Sequence, residues 1–581
     1  MKQRIILVLL IAFASFTSCK DDDEVLLAPI ISGIENAYTV IEDAKLELNP
    51  MIENGETATI SWSINGNEVA QTRIYVFQQS EPGEYKLLLK AGNEGGIAKQ
   101  EITISVIEKG LPPVITNLEE EYNIETSSEL TINPTITSEN ECTYAWFLGD
   151  EEVATTLEYT FNSNKPGKYK VTFKATNEWG TSEKTLSIVV TQKVLTIEGV
   201  EHTLLPLELP DYLKDKDDIK WEVIEETPST LYRLSQMDSK KAMFIAAEKG
   251  EYILQVTSGE IKVIVKVVVA KAAKEPSPYI AQVFDYFPAP GQFVNKLPQY
   301  EEGDTHEDMV AKAGESLIGE DANMITLGGW GGYVVLGFDH TIVNVAGKKD
   351  FRIEGNAFGA NANPDVDAPF GGSCEPGIIM VSYDANGNGE PDDEWYEIVG
   401  SGNFTAENEN WYQKAIDNGN DVNTYRDFQM TYHKPTVEDP ANIADYIYWT
   451  NNKGEEGYKF KHSYHRQSYY PLWINDDTIT FDGIRLAENG IDESGQGNYY
   501  VLYAFKHGYV DNFPNNDDKS AIDIDWAIDK DGNKVNLPGI DFVKVYNGVD
   551  QENGWLGEAS TEVARGSNLH LLKTSIDSIQ D

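Results

Sequence analysis

The sequence predicts an all-β protein in which three small β-sandwiches precede one larger, jelly-roll-like β-sandwich domain. Runs of alternating apolar and polar residues, typical of half-buried strands, recur between turns rich in Gly, Pro, Asn and Asp. In the C-terminal half, helical periodicity of useful length is confined to Thr305 to Leu317. The 581 residues are enough for about four domains.

The first two small sandwiches repeat one pattern at a constant offset. The matching positions are Asn49-Pro50 and Asn133-Pro134, Trp62 and Trp146, Pro82-Gly83 and Pro166-Gly167, Tyr85 and Tyr169, and Asn93 and Asn177. An early Trp followed by a Pro-Gly-x-Tyr turn resembles PKD-type, immunoglobulin-like sandwiches, which implies that the Trp is a core residue. We therefore predict two PKD-like domains at 28–110 and 111–193.

Residues 194–271 are predicted to form a third, degenerate copy of the same sandwich. Trp221, Gly250 and Tyr252 keep the pattern, but the longer Trp-to-Tyr spacing indicates an insertion near Glu226 to Lys241. A short polar linker then leads to the C-terminal domain at 279–581. Three sandwiches in line would form a stalk that carries this domain.

The N-terminal segment predicts a lipid-anchored surface protein. Residues 1–18 combine a positive end with an apolar core too short to span a membrane, as in a lipoprotein signal peptide. The thiol of Cys19 would take the lipid, and acidic residues 19–27 would form a tether. This start resembles the surface-export signal of Bacteroidetes lipoproteins. The alternatives are an ordinary secretory signal with a chance cysteine and a merely solvated tether.

Composition restricts the partners. The formal net charge of -49 disfavours nucleic acid and anionic lipid head groups, because both would be repelled. A hydrophobic content of 41% is enough to build cores, so the chain is not a disordered acidic segment. Cys142 and Cys374 lie in different predicted domains, so we expect no disulfide between them.

We predict a structural calcium ion in the acidic loop within Ile378 to Ser401. Trp395 stands where an EF-hand would carry its closing Glu, so the loop is predicted to lie between strands. The alternative is an Asx-rich hairpin without metal, which is also our interpretation of the second acidic turn at Asp529 to Asn533. The candidate calcium ligands are Asp384, Asn386, Asn388, Glu390 (through its carbonyl), Asp392 and Asp393.

Aromatic residues concentrate around Tyr458 to Trp473 and favour a ligand surface, since amphipathic rings offer contact area with polar tips. The alternative is that many of them fill the core of a large sandwich. Zinc at His462 and His465 is less favoured, because no Cys or HExxH pattern accompanies them. The candidate ligand-binding residues are Trp411, Tyr412, Tyr464, His465, Gln467, Tyr469, Tyr470 and Trp473.

No nucleophile motif, phosphate loop or HExxH helix occurs in the sequence, so we predict a binding protein rather than an enzyme. Paired carboxylates are frequent in so acidic a chain, and no pair stands out as a glycosidase pair.

Long stretches of the C-terminal domain carry a family resemblance. They include GGWGGYVVLGFDHTIVN, FRIEGNAFG, YDANGNGEPDDEWYEIVGS, YHRQSYYPLWI and DIDWAIDKDGNKVNLPGIDFVKVYNGVDQENGWLGEASTEV. These stretches resemble the C-terminal domain of Bacteroidetes cell-surface lipoproteins with PKD-like repeats, a group associated with cobalamin (vitamin B12) uptake loci. The resemblance implies corrinoid binding at the outer membrane and a TonB-dependent transporter as partner. A glycan-binding or glycan-degrading lipoprotein is the alternative.

Overall fold

The computed structural model describes residues 26–225, 227–238, 240–360, 368–440 and 442–578. The predicted all-β class is confirmed, and the chain divides into two compact units, one ending at Thr191 and one beginning at Gln192. The predicted signal peptide, Cys19 and most of the tether lie outside the described residues. Among the helices of the described ranges, none has the length and apolar character needed to cross a membrane.

The first module is a β-sandwich around Trp62, which is fully buried. Its strands are β1 (Ile30–Ser32), β2 (Ala37–Ile41), β3 (Leu46–Leu48), β4 (Met51–Glu53), β5 (Thr59–Ile64), β6 (Asn67–Ala70), β7 (Tyr75–Phe77), β8 (Gly83–Asn93) and β9 (Gly96–Ile107). They form one five-stranded sheet, β2-β9-β8-β5-β6, and the pairs β1-β4 and β3-β7. The indole of Trp62 donates to the Thr72 carbonyl at 2.9 Å.

The second module repeats this arrangement around Trp146. Its strands are β10 (Val114–Thr116), β11 (Glu121–Glu125), β12 (Glu129–Ile132), β13 (Thr135–Thr137), β14 (Thr143–Leu148), β15 (Glu151–Ala154), β16 (Tyr159–Asn162), β17 (Gly167–Asn177) and β18 (Gly180–Thr191). The sheet β11-β18-β17-β14-β15 faces the pairs β12-β16 and β10-β13. The indole of Trp146 donates to the Thr156 carbonyl at 3.0 Å, ten residues ahead as in the first module.

The third module, 194–270, has the same plan with a changed edge. Its strands are β19 (Val194–Val200), β20 (Leu205–Leu207), β21 (Lys220–Val223), β22 (Tyr232–Gln236), β23 (Ala242–Ala246), β24 (Gly250–Ser258) and β25 (Ile261–Ala270). They form the sheets β19-β25-β24-β21 and β20-β23-β22. The Tyr252 hydroxyl donates to the carbonyl of Glu248, four residues earlier. Tyr85 and Tyr169 make the corresponding bond, so the three modules share this contact.

Polar contacts join strand β22 of the third module to the C-terminal domain. Arg233 pairs with the Asp525 carboxylate (Nη1 to Oδ2 3.2 Å), and its Nε donates to the Asn536 side-chain oxygen at 3.0 Å. The Ser235 hydroxyl donates to the Asn536 carbonyl.

An apolar cluster continues this contact, with Ile245 of the module against Val343 and Val345 of the C-terminal domain. The segment near Glu226 to Lys241, which we predicted to be an insertion, thus contains a strand of the module's second sheet. This strand supplies the residues that hold the C-terminal domain. The third module belongs to the same compact unit as that domain, so it contacts the domain that the predicted stalk would carry.

The C-terminal domain is built from short strands with two α-helices, α1 (His306–Leu317) and α2 (Tyr412–Asn418). Its strands are β26 (Gln282–Phe287), β27 (Ile325–Thr326), β28 (Tyr333–Val343), β29 (Phe351–Ile353), β30 (Phe358–Gly359), β31 (Gly371–Ser373), β32 (Gly377–Ser382), β33 (Tyr396–Ile398), β34 (Tyr425–His433), β35 (Ile447–Asn451), β36 (Glu456–Lys459), β37 (Thr478–Arg485), β38 (Gly490–Asp492), β39 (Tyr500–Tyr503), β40 (Ala521–Ile522), β41 (Ala527–Ile528), β42 (Gly539–Asn547), β43 (Glu562–Val563) and β44 (Gly566–Asn568).

A six-stranded antiparallel sheet, β26-β28-β42-β32-β33-β41, forms the centre of the domain. Val334 and Val543 of this sheet belong to one large cluster of buried residues, which also includes Met430 and Phe481 of the sheet β36-β35-β34-β37. The sheet β30-β31-β39-β38, the sheet β40-β29-β44 and the pair β27-β43 complete the sandwich.

Helix α1 confirms the helical pattern predicted at Thr305 to Leu317. Thr305 caps it: its hydroxyl accepts from the Asp308 N–H at 3.2 Å, and the Asp308 carboxylate accepts from the Thr305 N–H at 2.9 Å. Met309 and Leu317 on its inner face are fully buried. Cys142 and Cys374 are both free thiols, as expected.

Candidate functional site

Four of the eight predicted ligand-binding residues are buried in the core. Trp411, Tyr469, Tyr470 and Trp473 expose at most 7% of their surface and belong to the large hydrophobic clusters. The Trp411 indole, for example, donates to the Ala504 carbonyl at 2.9 Å. Because protein atoms cover both faces of these rings, they offer no surface to a ligand, and the prediction is corrected for these four.

Two further predicted residues have structural contacts. Tyr412 begins helix α2 and packs partly against the core beneath it. The amide of Gln467 donates to the backbone carbonyl of Gln292, so it fixes the Gln292 segment.

The remaining two predicted residues, Tyr464 and His465, line a cavity of about 580 Å³ in the C-terminal domain. The other walls come from distant parts of the sequence: the Gln292 segment, the end of strand β31 near Glu375, and residues 553–562. We call this space the 462–562 cavity. Its volume lies within the range of about 300–1,000 Å³ that small-molecule sites occupy.

Two histidines form one wall of the 462–562 cavity. The His465 ring meets the Phe293 ring edge-to-face with centroids 4.8 Å apart, and its centroid lies 5.6 Å from that of His462. The Nδ1 of His462 accepts from the Tyr464 N–H at 3.2 Å. Burial, followed by the neighbouring His462, lowers the pKa of His465, so its ring is neutral at neutral pH. A neutral imidazole nitrogen can accept a hydrogen bond or bind a transition metal.

Three carboxylates meet at the cavity, two of them, Glu375 and Glu562, in its lining. Glu375, Asp511 and Glu562 place one oxygen each within 4.8 Å of the others. Glu375 accepts from the Ser560 N–H at 2.9 Å, Asp511 from the Ala357 N–H at 2.7 Å, and Glu562 from the Ser560 hydroxyl at 3.1 Å. Oxygens at this spacing could also ligate a hard cation.

Burial raises the pKa of all three carboxyl groups, and their mutual repulsion adds to the effect for Glu375 and Glu562. The cluster therefore keeps protons at neutral pH. Glu558, which accepts from the backbone N–H of Gln292, also has its pKa raised by burial, against the opposing pull of the Lys459 charge. Because a protonated carboxyl group can donate a hydrogen bond, the cavity offers donors as well as acceptors to a polar ligand.

The comparisons with known proteins identify the N-terminal part of the chain. A family model described as the PKD-like domain matches residues 31–93 and 112–177. These two segments are PKD-like repeats. They correspond to the first and second modules, and the predicted resemblance is confirmed for them. No curated protein matches the sequence.

Among solved structures, similar chains are tandem immunoglobulin-type modules. The I-band fragment I67-I69 from titin is 15% identical, with 42% of this chain and 99% of that chain covered and a TM-score of 0.23. The fibronectin(III)-like modules of Clostridium thermocellum CbhA are 12% identical, with 28% and 94% covered and a TM-score of 0.20. These TM-scores are too low to define a fold. The folds of the PKD-like repeats and of the C-terminal domain are therefore described from their own strand pairing.

The predicted calcium loop connects strands β32 and β33. The Asp384 carboxylate accepts from the backbone N–H groups of Gly387 (2.7 Å) and Gly389 (2.8 Å). Both glycines have positive φ, 74° and 77°, which lets the backbone turn around the carboxylate. The Asp393 carboxylate accepts from the Ala385 N–H at 2.9 Å, so the loop is also closed from its far end.

The side chains of this loop bond one another and the loop backbone. The Asn386 and Asn388 amides both meet the Asp392 carboxylate, at 2.9 and 3.0 Å. The segment Asp384 to Trp395 contains no Lys, Arg or His that could balance the charge. Glu390 differs from the rest, since its backbone N–H donates to Asn388 Oδ1 at 2.8 Å.

The second acidic turn has the hairpin geometry that the sequence predicts. The Asp529 carboxylate accepts from the Asn533 N–H at 2.8 Å, and the Asp529 N–H donates to the Asn533 carbonyl at 2.9 Å. It is a hairpin turn that follows strand β41.

Sequence reasoning missed most walls of the 462–562 cavity. Glu375, Glu558, Glu562 and Trp555 lie in stretches that carried the family resemblance or adjoin them, but no spacing marked them as neighbours. In a chain with 95 acidic residues, single carboxylates that meet only in the fold cannot be recognised by pattern.

Proposed function

We propose that this protein is a lipid-anchored outer-membrane lipoprotein, exposed at the cell surface, that binds a corrinoid through its C-terminal domain. It would then assist uptake of the ligand by a TonB-dependent transporter. The resemblance of the C-terminal domain to lipoproteins of cobalamin-uptake loci suggests the ligand class. The observation that carries the proposal is the 462–562 cavity, which joins a neutral histidine, exposed aromatic rings and buried amides.

The polar chemistry of the cavity suits a corrinoid, whose ring is edged with amide groups. Gln292 and Asn553 line the cavity and are more than nine-tenths buried. The side-chain oxygen of each finds no hydrogen-bond donor among the described residues. Buried acceptors without a donor favour a ligand that carries N–H groups. Protonated Glu558 could donate to amide carbonyls of the same ligand.

The aromatic chemistry suits the flat, partly apolar face of a corrinoid. Tyr464 is 82% exposed and Trp555 is 54% exposed, and both line the cavity. Large exposed rings beside a cavity are typical of ligand platforms. A cavity of about 580 Å³ holds part of so large a ligand, and these two rings would cover part of what extends beyond it.

The proposed lipid anchor and the PKD-like repeats would attach the C-terminal domain to the membrane. Acyl chains on Cys19 would hold the chain at the membrane without a spanning helix. The first and second modules lie between Cys19 and the unit with the C-terminal domain along the chain. A captured corrinoid would then be available to a transporter in the same membrane.

Isothermal titration calorimetry tests the proposal. The chain without its signal peptide and Cys19 is titrated with cyanocobalamin and, separately, with a panel of bacterial and plant glycans. We expect heat with cyanocobalamin only. Binding to a glycan without binding to cyanocobalamin would replace this proposal by the glycan-binding alternative.

Two substitutions locate the site. We expect Tyr464→Ala and Trp555→Ala each to weaken cyanocobalamin binding at least tenfold with little change in melting temperature, since both rings are exposed. Tyr458→Ala is the matched control, because Tyr458 is also half exposed but packs on Tyr448, outside the cavity lining. Equal affinity in all three variants would place the ligand elsewhere.

A further inference from the structure

A second cleft, of about 550 Å³, lies on the face of the six-stranded sheet opposite to the Val543 side chain. Lys544 stands between Val543 and Val545 on strand β42, so its side chain projects from the opposite face. Met380 on β32 is its direct neighbour in the register and shares that face. Tyr333 extends the surface on β28.

Aromatic side chains close this cleft at its sides. Phe481 on strand β37 contributes one wall, and Trp395, just before β33, contributes another. The Ser382 hydroxyl donates to the Glu394 carbonyl at 2.9 Å, which fixes the backbone directly ahead of Trp395. The cleft thus has flat apolar walls around a single lysine.

The Lys544 ammonium has no carboxylate of its own. It lies 4.1 Å from the centre of the Tyr333 ring, and it makes no hydrogen bond or ion pair with any of the residues that the structure describes. The carboxylate that acts on it electrostatically, Asp285, is already engaged. Asp285 accepts from the Tyr333 hydroxyl at 2.7 Å and bonds His306 Nε2 at 2.9 Å. Burial accordingly lowers the pKa of Lys544.

Several other buried cations of this domain have polar partners, and Lys349 donates to the Asp518 carbonyl at 2.9 Å. Lys459 lies 3.3 Å from Glu552, and Arg485 lies 2.6 Å from Asp421. A partly buried ammonium that lacks such a partner costs free energy, and a bound anion would remove that cost. The ring of Tyr333 compensates only in part, since a cation–π contact contributes about 0.5–2 kcal/mol.

We propose that this cleft binds a small organic acid that combines one carboxylate with a flat apolar body. The carboxylate pairs with Lys544, and the body lies between Trp395, Phe481 and Met380.

The other charged side chains of the cleft favour a ligand that carries a single negative charge. Arg426 is engaged by Glu397 through two bonds of 3.0 and 2.7 Å, so it leaves no free positive charge. Asp482 stands exposed at the rim. A dianion such as phosphate would therefore keep one uncompensated negative charge near the carboxylates of Glu397 and Asp482. A ligand with one carboxylate is neutralised by Lys544 alone.

The test compares an acid with its neutral isostere. The full chain without signal peptide and Cys19 is titrated with 3-phenylpropanoate, 3-phenylpropanamide and inorganic phosphate, followed by calorimetry and saturation-transfer NMR. We expect binding of the acid, at least tenfold weaker binding of the amide, and no binding of phosphate. Equal binding of acid and amide, or binding of none, overturns the proposal.

Variants assign the binding to Lys544. Lys544→Met should weaken binding of 3-phenylpropanoate at least tenfold. Lys544→Arg should keep most of the affinity because it keeps the positive charge. Lys519→Met is the matched control: its ammonium also lies over a ring, 5.0 Å from the centre of Phe513, but outside the cleft. Retained affinity in folded Lys544→Met, judged by its melting curve, overturns the proposal. Cyanocobalamin binding should be unchanged in all three variants, so this test is independent of the corrinoid proposal.

Discussion

Arg233 of the third module and Asp525 of the C-terminal domain form a bidentate ion pair, with distances of 3.2 and 2.5 Å between nitrogen and oxygen. The side chains are only 13% and 21% exposed. Because both charges are mostly removed from water, loss of either one leaves the other uncompensated. The pair therefore helps to hold the third module against the C-terminal domain.

Arg233→Ala should lower the stability of the unit that begins at Gln192 by about 1.5–3 kcal/mol, the range for hydrogen bonds to charged groups. Thermal denaturation measures the effect, and limited proteolysis should show faster cleavage near the linker 272–278. Lys274→Ala is the control: Lys274 pairs with Asp339 but is 84% exposed, so about 0–1 kcal/mol is expected. Equal effects of both substitutions would contradict a special role for Arg233.

Fragments that begin before and after the third module should differ in stability. Residues 192–581 should form a monomer that melts cooperatively. Residues 279–581 should melt at a lower temperature or associate, because Val343 and Val345 lose their cover. Size-exclusion chromatography and calorimetric melting provide the measurement. Identical melting of the two fragments would return the third module to the role of a stalk.

Acidification should destabilise the interface between the third module and the C-terminal domain, where His202 contacts His340. Burial, followed by repulsion from His340, lowers the pKa of His202 from 6.5 to about 4. The folded state binds this proton less readily than the unfolded chain does. The stability that neutral His202 contributes is therefore present above about pH 6.5 and is lost as the pH falls towards 4. We expect a loss of about 2–3 kcal/mol over this range.

The variant His202→Asn removes the titrating group and should reduce the difference in melting temperature between pH 7 and pH 4.5. Asn suits the position, because His202 has a positive φ of 59°, which Asn tolerates. His433→Asn, in the four-stranded sheet of the C-terminal domain, is the control. An unchanged pH dependence in His202→Asn would show that other groups cause the acid sensitivity.

Chelation should lower the melting temperature of the C-terminal domain. A calcium ion bound only by the folded loop stabilises it by about 2.7 kcal/mol at a hundred times the dissociation constant. Asp384→Ala should abolish the response to chelator, whereas Asp529→Ala, in the hairpin turn, should keep it. Unchanged melting together with metal analysis that finds no calcium would show that the loop is an Asx-rich turn.

Trp411→Ala and Trp473→Ala should destabilise the C-terminal domain by about 3–5 kcal/mol, since each ring fills core space. Corrinoid affinity per folded molecule should stay within about threefold of the original, because neither ring lines the 462–562 cavity. Denaturant melts followed by calorimetry below the transition measure both quantities. A large loss of affinity in folded protein would restore the original prediction for these residues.

Elements that depend on local chemistry were predictable. The PKD-like repeats were recognisable from the equal spacing of Trp and Tyr. Each module has a buried Trp indole and a Tyr hydroxyl that donates to the carbonyl four residues earlier. Helix α1 was predictable from its period and its Thr305 cap. Helix α2 was not, because seven residues are too few to show a helical period.

The roles of single aromatic residues were not predictable. Tyr464 and Tyr469 are five positions apart in one stretch, yet one is 82% exposed and the other 1%. The stretch from Lys461 to Ile474 is not part of a strand, so no alternation of faces indicates which ring turns inward. The meeting of Glu375, Asp511 and Glu562 depends on how strands cross in space, which a single sequence does not contain.

The side chains on the two faces of strand β42 have separate roles. Val543 and Val545 support the hydrophobic core, while Lys544 between them faces the second cleft. Substitutions at Lys544 can therefore change what the cleft selects without removing a side chain from the core. This separation would allow the ligand preference of the cleft to diverge during evolution while the sandwich itself is conserved.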